Sequence, residues 1–214
     1  IFETMKIEDG KIFLLDEHLD RMKQTADSFL FSFDKKKIIS YLNKIISEID
    51  SESYRLKLSL DKYGGLSHFI SKLIQLPEEI KVIISKSKIH SKNRFQYFKT
   101  TNRRLYDREY KSLTAKGFFD AIYFNEKGEL AEGSISNIYI YKKDVISTPP
   151  INAGILPGVY RKYLLKNDAG IRESRLYLED LLEADKIVLT NSVRGEVTVN
   201  KLFLDENEFI EFQM

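Results

Sequence analysis

The chain has 214 residues, 43% hydrophobic and 12% aromatic, enough to bury a substantial core in one large or two small domains, which excludes a disordered tail. Charged residues make up 31% but nearly cancel to a net charge of +2, so no nucleic acid partner is called for, while a local anion site stays open. The absence of cysteine excludes a disulfide framework and a thiolate nucleophile, and with three scattered histidines, His18, His68 and His90, no metal site is expected.

No apolar run approaches the roughly 18–20 residues that cross a bilayer, and the opening alternates polar with apolar residues instead of building a signal core. A cytoplasmic protein without membrane contact is therefore expected. Ile1 is not a start methionine, which points to a numbering that begins slightly inside the translated chain.

The opening "IFETMKIEDGKIFLL" reads as two short strands around Asp9-Gly10. "DEHLDRMKQTADSFLF" follows with helical spacing of Leu19, Met22, Ala26, Phe29 and Leu30, and Asp16 is its expected cap. Asp34 caps a second helix whose stripe is Ile38, Ile39, Leu42, Ile45 and Ile46. The alternation of Leu56, Leu58 and Leu60 predicts a strand that turns at Gly64-Gly65 and returns as another. "PEEI" is a polar break, and a domain boundary is placed there: 1–77 as a small N-terminal α+β domain and 78–214 as a larger C-terminal α/β domain. The C-terminal part shows strands in "VII", "FFDAIYF", "SNIYIYKKDVIST", "KIVLT" and "EVTVNKLFL". Helices are expected near Arg103–Ala115, Pro157–Lys166 and Leu178–Leu182.

Four segments carry candidate chemistry. In "FQYFKTTNRRL", Lys99 stands among aromatic, hydroxyl and amide residues; in "ELAEGSISNIYI", Glu132 sits beside a glycine and a serine just before a strand. In "AGILPGVYRKYLL", glycines bracket a proline at a helix start, where free N–H groups form an anion cup. In "VLTNSVRGEVTV", a strand ends in the small donors Thr190, Asn191 and Ser192. Each has an ordinary reading alone, as a solvated lysine, a loop carboxylate or a polar turn. Together they supply what pyridoxal phosphate needs: an amine for its aldehyde, an acid for its ring nitrogen and donors for its phosphate.

The chain resembles the class IV aminotransferases, the D-amino-acid and branched-chain aminotransferase group of pyridoxal-phosphate enzymes that also contains 4-amino-4-deoxychorismate lyase. "FETMKIEDGKIFLLDEHLDRM", "FKTTNR", "AEGSISNIYI", "GILPGVYR" and "LTNSVRGEVTV" carry the resemblance, in order and over nearly the whole length. It implies a two-domain α/β (α+β) fold of the D-amino-acid aminotransferase type, pyridoxal-phosphate fold type IV, with the cofactor in a cleft between domains of a homodimer. It implies Lys99 as the catalytic lysine that bonds the cofactor aldehyde, Glu132 as the partner of the ring nitrogen with Asn137 in the same segment, and Arg21 as the phosphate arginine. Leu156, Val159 and Tyr160 would contact the phosphate at the helix start, with Asn191 and Ser192 completing the cup. Tyr160 stands where relatives commonly carry a small hydroxyl residue.

The substrate is expected to be a small amine bearing carboxylates. "FET" and "KTTNR" look more like the aminodeoxychorismate lyases, which release pyruvate and leave 4-aminobenzoate, a folate precursor. The alternatives are a branched-chain or D-amino-acid aminotransferase and, from a different class, a non-catalytic pyridoxal-phosphate-binding protein. Arg103, Arg104 and Arg194 are candidates for the substrate carboxylates, because a guanidinium fork matches that group.

Overall fold

In β1 (Phe2–Glu8) of the computed structural model, which describes residues 1–212, alternate side chains face inward: Met5 and Ile7 are buried, and Glu3 shares their face. β1 turns at Asp9 and Gly10, with φ of 49° and 68°, into β2 (Lys11–Ile12), as the Asp-Gly signal implies. β1 also pairs antiparallel with β3 (Tyr54–Leu60), and β3 with β4 (Leu66–Lys72), so the sheet order is β2-β1-β3-β4. α1 (Leu15–Phe29) and α2 (Lys35–Ser47) bury Leu19, Met22, Ala26, Ile38 and Leu42 in one cluster with Met5, Ile7, Leu56 and Leu58.

Asp34 caps α2 as expected, its carboxylate accepting the Lys37 N–H at 3.0 Å. Asp16 does not cap α1. The N-cap is Leu14, in the left-handed region at φ 54° and without a side-chain cap bond, and Asp16 lies in the first turn, where its charge suits the helix dipole.

Contacts divide the chain into two compact units, Ile1–Gln75 with Lys99–Thr101, and Leu76–Phe98 with the chain from Asn102 onward. The second unit holds two sheets. One is β14-β13-β5-β6-β7, built from β5 (Lys81–Ile84), β6 (Asp120–Phe124), β7 (Leu130–Gly133), β13 (Lys201–Phe203) and β14 (Phe209–Glu211), with β13, β5 and β6 mutually parallel. The other is β10-β9-β8-β11-β12, built from β8 (Asn137–Lys142), β9 (Val145–Thr148), β10 (Ile171–Glu173), β11 (Lys186–Asn191) and β12 (Gly195–Thr198). The main core joins both sheets through Val82, Ile122, Leu130, Ile138, Leu189 and Leu202.

α3 (Arg104–Thr114), α4 (Val159–Asn167) and α5 (Leu178–Leu182) fall where helices are expected. Tyr106 is the buried residue of α3 and packs with Tyr123, Ala131 and Ile155 in a smaller cluster. Glu132, expected just before a strand, is itself the third residue of β7, a four-residue strand buried on both faces and therefore without alternation to announce it. No helix of the described residues is long and apolar enough to cross a membrane.

Candidate active site

In the first unit the candidate chemistry gathers around Glu3. Its Oε1 accepts Arg21 Nε–H at 2.9 Å, and its Oε2 accepts Arg21 Nη2–H at 2.5 Å and lies 2.7 Å from His18 Nδ1. His18 and Arg21, three residues apart on α1, share the face that looks onto β1, and all three side chains are buried. Burial works to raise the Glu3 carboxyl, but the Arg21 charge and the bonds from His18 and Arg21 outweigh it and hold it at about 2. Burial pushes the His18 imidazole below its ordinary value, against the pull of Glu3. A neutral His18 donates from Nδ1 to Glu3, which leaves Nε2 a lone pair, and that atom is buried without a partner among the described residues.

Lys99 belongs to this unit. The Phe2 N–H donates to the Lys99 carbonyl at 3.2 Å, Lys99 Nζ lies 4.9 Å from the Phe2 ring centroid, and the lysine charge helps to depress His18. The unit thus brings Arg21, His18 and Lys99 to the start of β1.

In the second unit Glu132 is buried and held from two sides. Tyr106 O–H donates to its Oε1 at 2.9 Å, and the Leu156 N–H donates to its Oε2 at 2.8 Å. The Leu156 carbonyl accepts Asn137 Nδ2–H at 3.0 Å, so Leu156 is tied to Glu132 and Asn137 together. The turn after Glu132 is fixed by Asp120, a buried carboxylate that accepts the N–H groups of Ala121, Ser134 and Ile135 and the hydroxyls of Ser134 and Ser136. Burial pushes the Asp120 carboxyl up, and these donors oppose it.

α4 starts against Asn137. A Cβ on Gly158 would overlap Asn137 Oδ1, so a side chain at the N-cap is excluded unless the amide moves. The first intrahelical bond runs from Lys162 N–H to the Gly158 carbonyl at 2.9 Å, so the Val159 N–H has no acceptor inside the helix. Between β11 and β12, Asn191 Oδ1 accepts the N–H groups of Val193 at 3.0 Å and Arg194 at 2.9 Å, and Ser192 is buried. Tyr160 O–H donates to Glu196 Oε1 at 3.4 Å, which brings the α4 start and the β11–β12 turn together. Thr190 is the register partner of Asn137, so both side chains leave the same face, and its buried Oγ1 has no partner among the described residues.

Arg103 is joined to the Glu132 cluster. It donates to Asp107 at 2.7 Å and to the Ser134 carbonyl at 2.6 Å, and its guanidinium lies 5.5 Å from the Tyr106 ring centroid. Arg104 is exposed at the start of α3, and Arg194 is half-buried in the β11–β12 turn.

Glu3, His18, Tyr106 and Asp120 lie beyond the sequence candidates, whereas Thr190 stands among the donors that end the strand in "VLTNSVRGEVTV". Glu3 leaves one trace, a carboxylate in register with Met5 and Ile7 on the inward face of β1, and His18 leaves another, three residues before Arg21. Tyr106 and Asp120 leave none, since their partners are fixed by tertiary contacts.

The family model for amino-transferase class IV matches residues 1–202 of the chain. Aminodeoxychorismate lyase from Bacillus subtilis is 28% identical, over 94% of this chain and 77% of that protein. A Thermotoga maritima protein assigned as a branched-chain-amino-acid aminotransferase is 26% identical, over 99% of this chain and 79% of its own length. A crystal structure of a Mesorhizobium loti protein assigned as an amino-acid aminotransferase has a TM-score of 0.87 at 26% identity, covering 94% of this chain and 98% of that one.

The donor set fits pyridoxal 5′-phosphate: a first-turn amide, the buried Ser192 hydroxyl and the Thr190 hydroxyl, unpartnered among the described residues, suit a phosphate, and an anchored carboxylate suits a protonated ring nitrogen. The Gly158 N-cap keeps the approach to that helix start clear of a side chain. The chain belongs to the class IV aminotransferases and is a pyridoxal-phosphate-dependent enzyme.

Proposed function

We propose that the chain is a 4-amino-4-deoxychorismate lyase that forms 4-aminobenzoate and pyruvate, and that it works as a homodimer. The observation that carries the reading is the segment Lys99-Thr100-Thr101-Asn102-Arg103, in which an arginine follows the lysine and is held by Asp107 and Ser134 beside the ring of Tyr106. A guanidinium in that place suits a substrate with two carboxylates. The Bacillus subtilis lyase, at 28% identity, supports it.

When bound, pyridoxal phosphate supplies an aldehyde that takes the substrate amine and a ring that accepts electrons from it. In this reading Lys99 anchors the aldehyde, and its Nζ moves the proton on the substrate carbon that bears the amine. Glu132 holds a proton on the ring nitrogen. Arg21, oriented by Glu3, grips the phosphate with Val159, Tyr160, Asn191 and Ser192, and Leu156 and Asn137 keep Glu132 and the helix start in register. Arg103, with Arg104 and Arg194, receives the substrate carboxylates.

The Thermotoga and Mesorhizobium relatives, each at 26% identity, favour a second reading, transfer of an amino group from an amino acid to a 2-keto acid. The purified enzyme is given 4-amino-4-deoxychorismate, with branched-chain and D-amino acids plus 2-oxoglutarate in parallel. Equal amounts of 4-aminobenzoate and pyruvate, without a keto acid acceptor, are expected. Glutamate from the amino acids, with no pyruvate from the first substrate, would overturn the lyase reading.

A further inference from the structure

We propose that Tyr106 is a positioning residue for Glu132, setting the direction and the charge with which that carboxylate meets the ring nitrogen of the cofactor. The inference rests on the reading of Glu132 as the ring-nitrogen partner.

A carboxylate that must face one ring atom needs its plane fixed, and one bond leaves it free to swing. Glu132 has two bonds on different oxygens from different parts of the unit: Tyr106 on α3 to Oε1 at 2.9 Å, and the Leu156 N–H ahead of α4 to Oε2 at 2.8 Å. Tyr106 is itself immobilised. It is 8% exposed, meets the Tyr123 ring edge-on at 4.8 Å between centroids, and carries the Arg103 guanidinium over its own ring. Its hydroxyl also lies 3.1 Å from Gln96 Oε1, an uncharged acceptor farther off than the Glu132 carboxylate at 2.9 Å, so its one proton goes to Glu132.

The hydroxyl acts as a donor under all working conditions, because burial first and the Glu132 charge second push its proton affinity far up. A neutral donor on a carboxylate favours the ionised form and makes it less basic. The proton shared by Glu132 and the ring nitrogen then resides on nitrogen, where electron withdrawal needs it. Removing the donor moves that proton toward Glu132.

The test uses holoenzyme reconstituted with cofactor labelled with 15N in the ring, comparing wild type, Glu132→Gln, Tyr106→Phe and the double variant. Tyr106→Phe is expected to move the ring-nitrogen resonance toward the unprotonated value and to lower kcat about tenfold, the scale of a lost bond to a charged group, with KM nearly unchanged. Added to Glu132→Gln, it is expected to change neither. If Glu132→Gln leaves the resonance in place, the assignment of Glu132 fails and this inference with it. If Glu132→Gln moves it and Tyr106→Phe does not, the role of Tyr106 alone is overturned. Should the Phe variant not fold, 4-aminophenylalanine at position 106 keeps the ring and a weaker donor: the resonance is expected to move toward the unprotonated value, and no movement overturns the inference.

Discussion

At position 3 a carboxylate occupies a place where the alternation of β1 calls for an apolar side chain, and its burial is tolerated because Arg21 and His18 meet it from α1. Glu3 titrates at about 2 instead of its ordinary 4.5, so it contributes about 3 kcal/mol of stability that is present above pH 4.5 and lost as the pH falls toward 2. His18 acts in the same direction: its folded value lies below the ordinary 6.5, so its share is present above that pH and lost below it. Melting temperature followed against pH is therefore expected to fall in acid. Glu3→Gln is expected to remove roughly 3–5 kcal/mol at neutral pH, by leaving a buried guanidinium uncompensated, and to flatten the acid limb. Parallel acid limbs in the two proteins would place the titrating group elsewhere. The helix that carries His18 and Arg21 is legible in the spacing of Leu19, Met22 and Ala26; the pairing of Arg21 with Glu3 is not, because burial of a charge depends on partners that adjoin it only after folding.

Among the elements, α4 depends most closely on one residue. Its N-cap Gly158 leaves no room for a methyl group beside Asn137, which in turn holds Leu156 and through it Glu132. Gly158→Ala is expected to push the Asn137 amide aside and weaken cofactor binding about tenfold or more, the cost of strain at a crowded backbone site. Quenching of tyrosine fluorescence as pyridoxal phosphate is added to the apoprotein measures it, and an unchanged affinity would show that the amide relaxes freely. The sequence revealed α2, α4 and α5 through their apolar spacing, and the turns at Asp9-Gly10 and Gly64-Gly65 through glycine. It hid the ends of α1, because Leu14 and Leu30 both take left-handed φ, 54° and 57°, without the glycine that signals such a cap. Three short strands escaped as well: β7 lacks alternation, and β10 and β14 have three residues each. The donor-rich segments "GILPGVY" and "TNS" stand out in the sequence, while the contacts that join them, from Tyr160 to Glu196 and across Asn137 and Thr190, do not.

For the molecule as a whole, the family resemblance implies two copies, and the first unit leaves Leu30, Tyr63, Phe69 and Ile74 strongly exposed, apolar surface that a second copy could cover. Sedimentation velocity at micromolar concentration is expected to show twice the chain mass, and a monomer under those conditions would count against the homodimer. The assignment of Lys99–Thr101 to the unit formed by Ile1–Gln75 has a consequence for synthesis. A nascent chain released only as far as residue 75 still lacks the carbonyl that accepts the Phe2 N–H. Although domains commonly fold N-terminal first on the ribosome, the Phe2 N–H of β1 here meets its acceptor only after Lys99 has cleared the exit tunnel, by which time the leading strand of the second unit, β5, has emerged too. Lys99–Thr101 thus arrives as the last piece of the unit that was begun first.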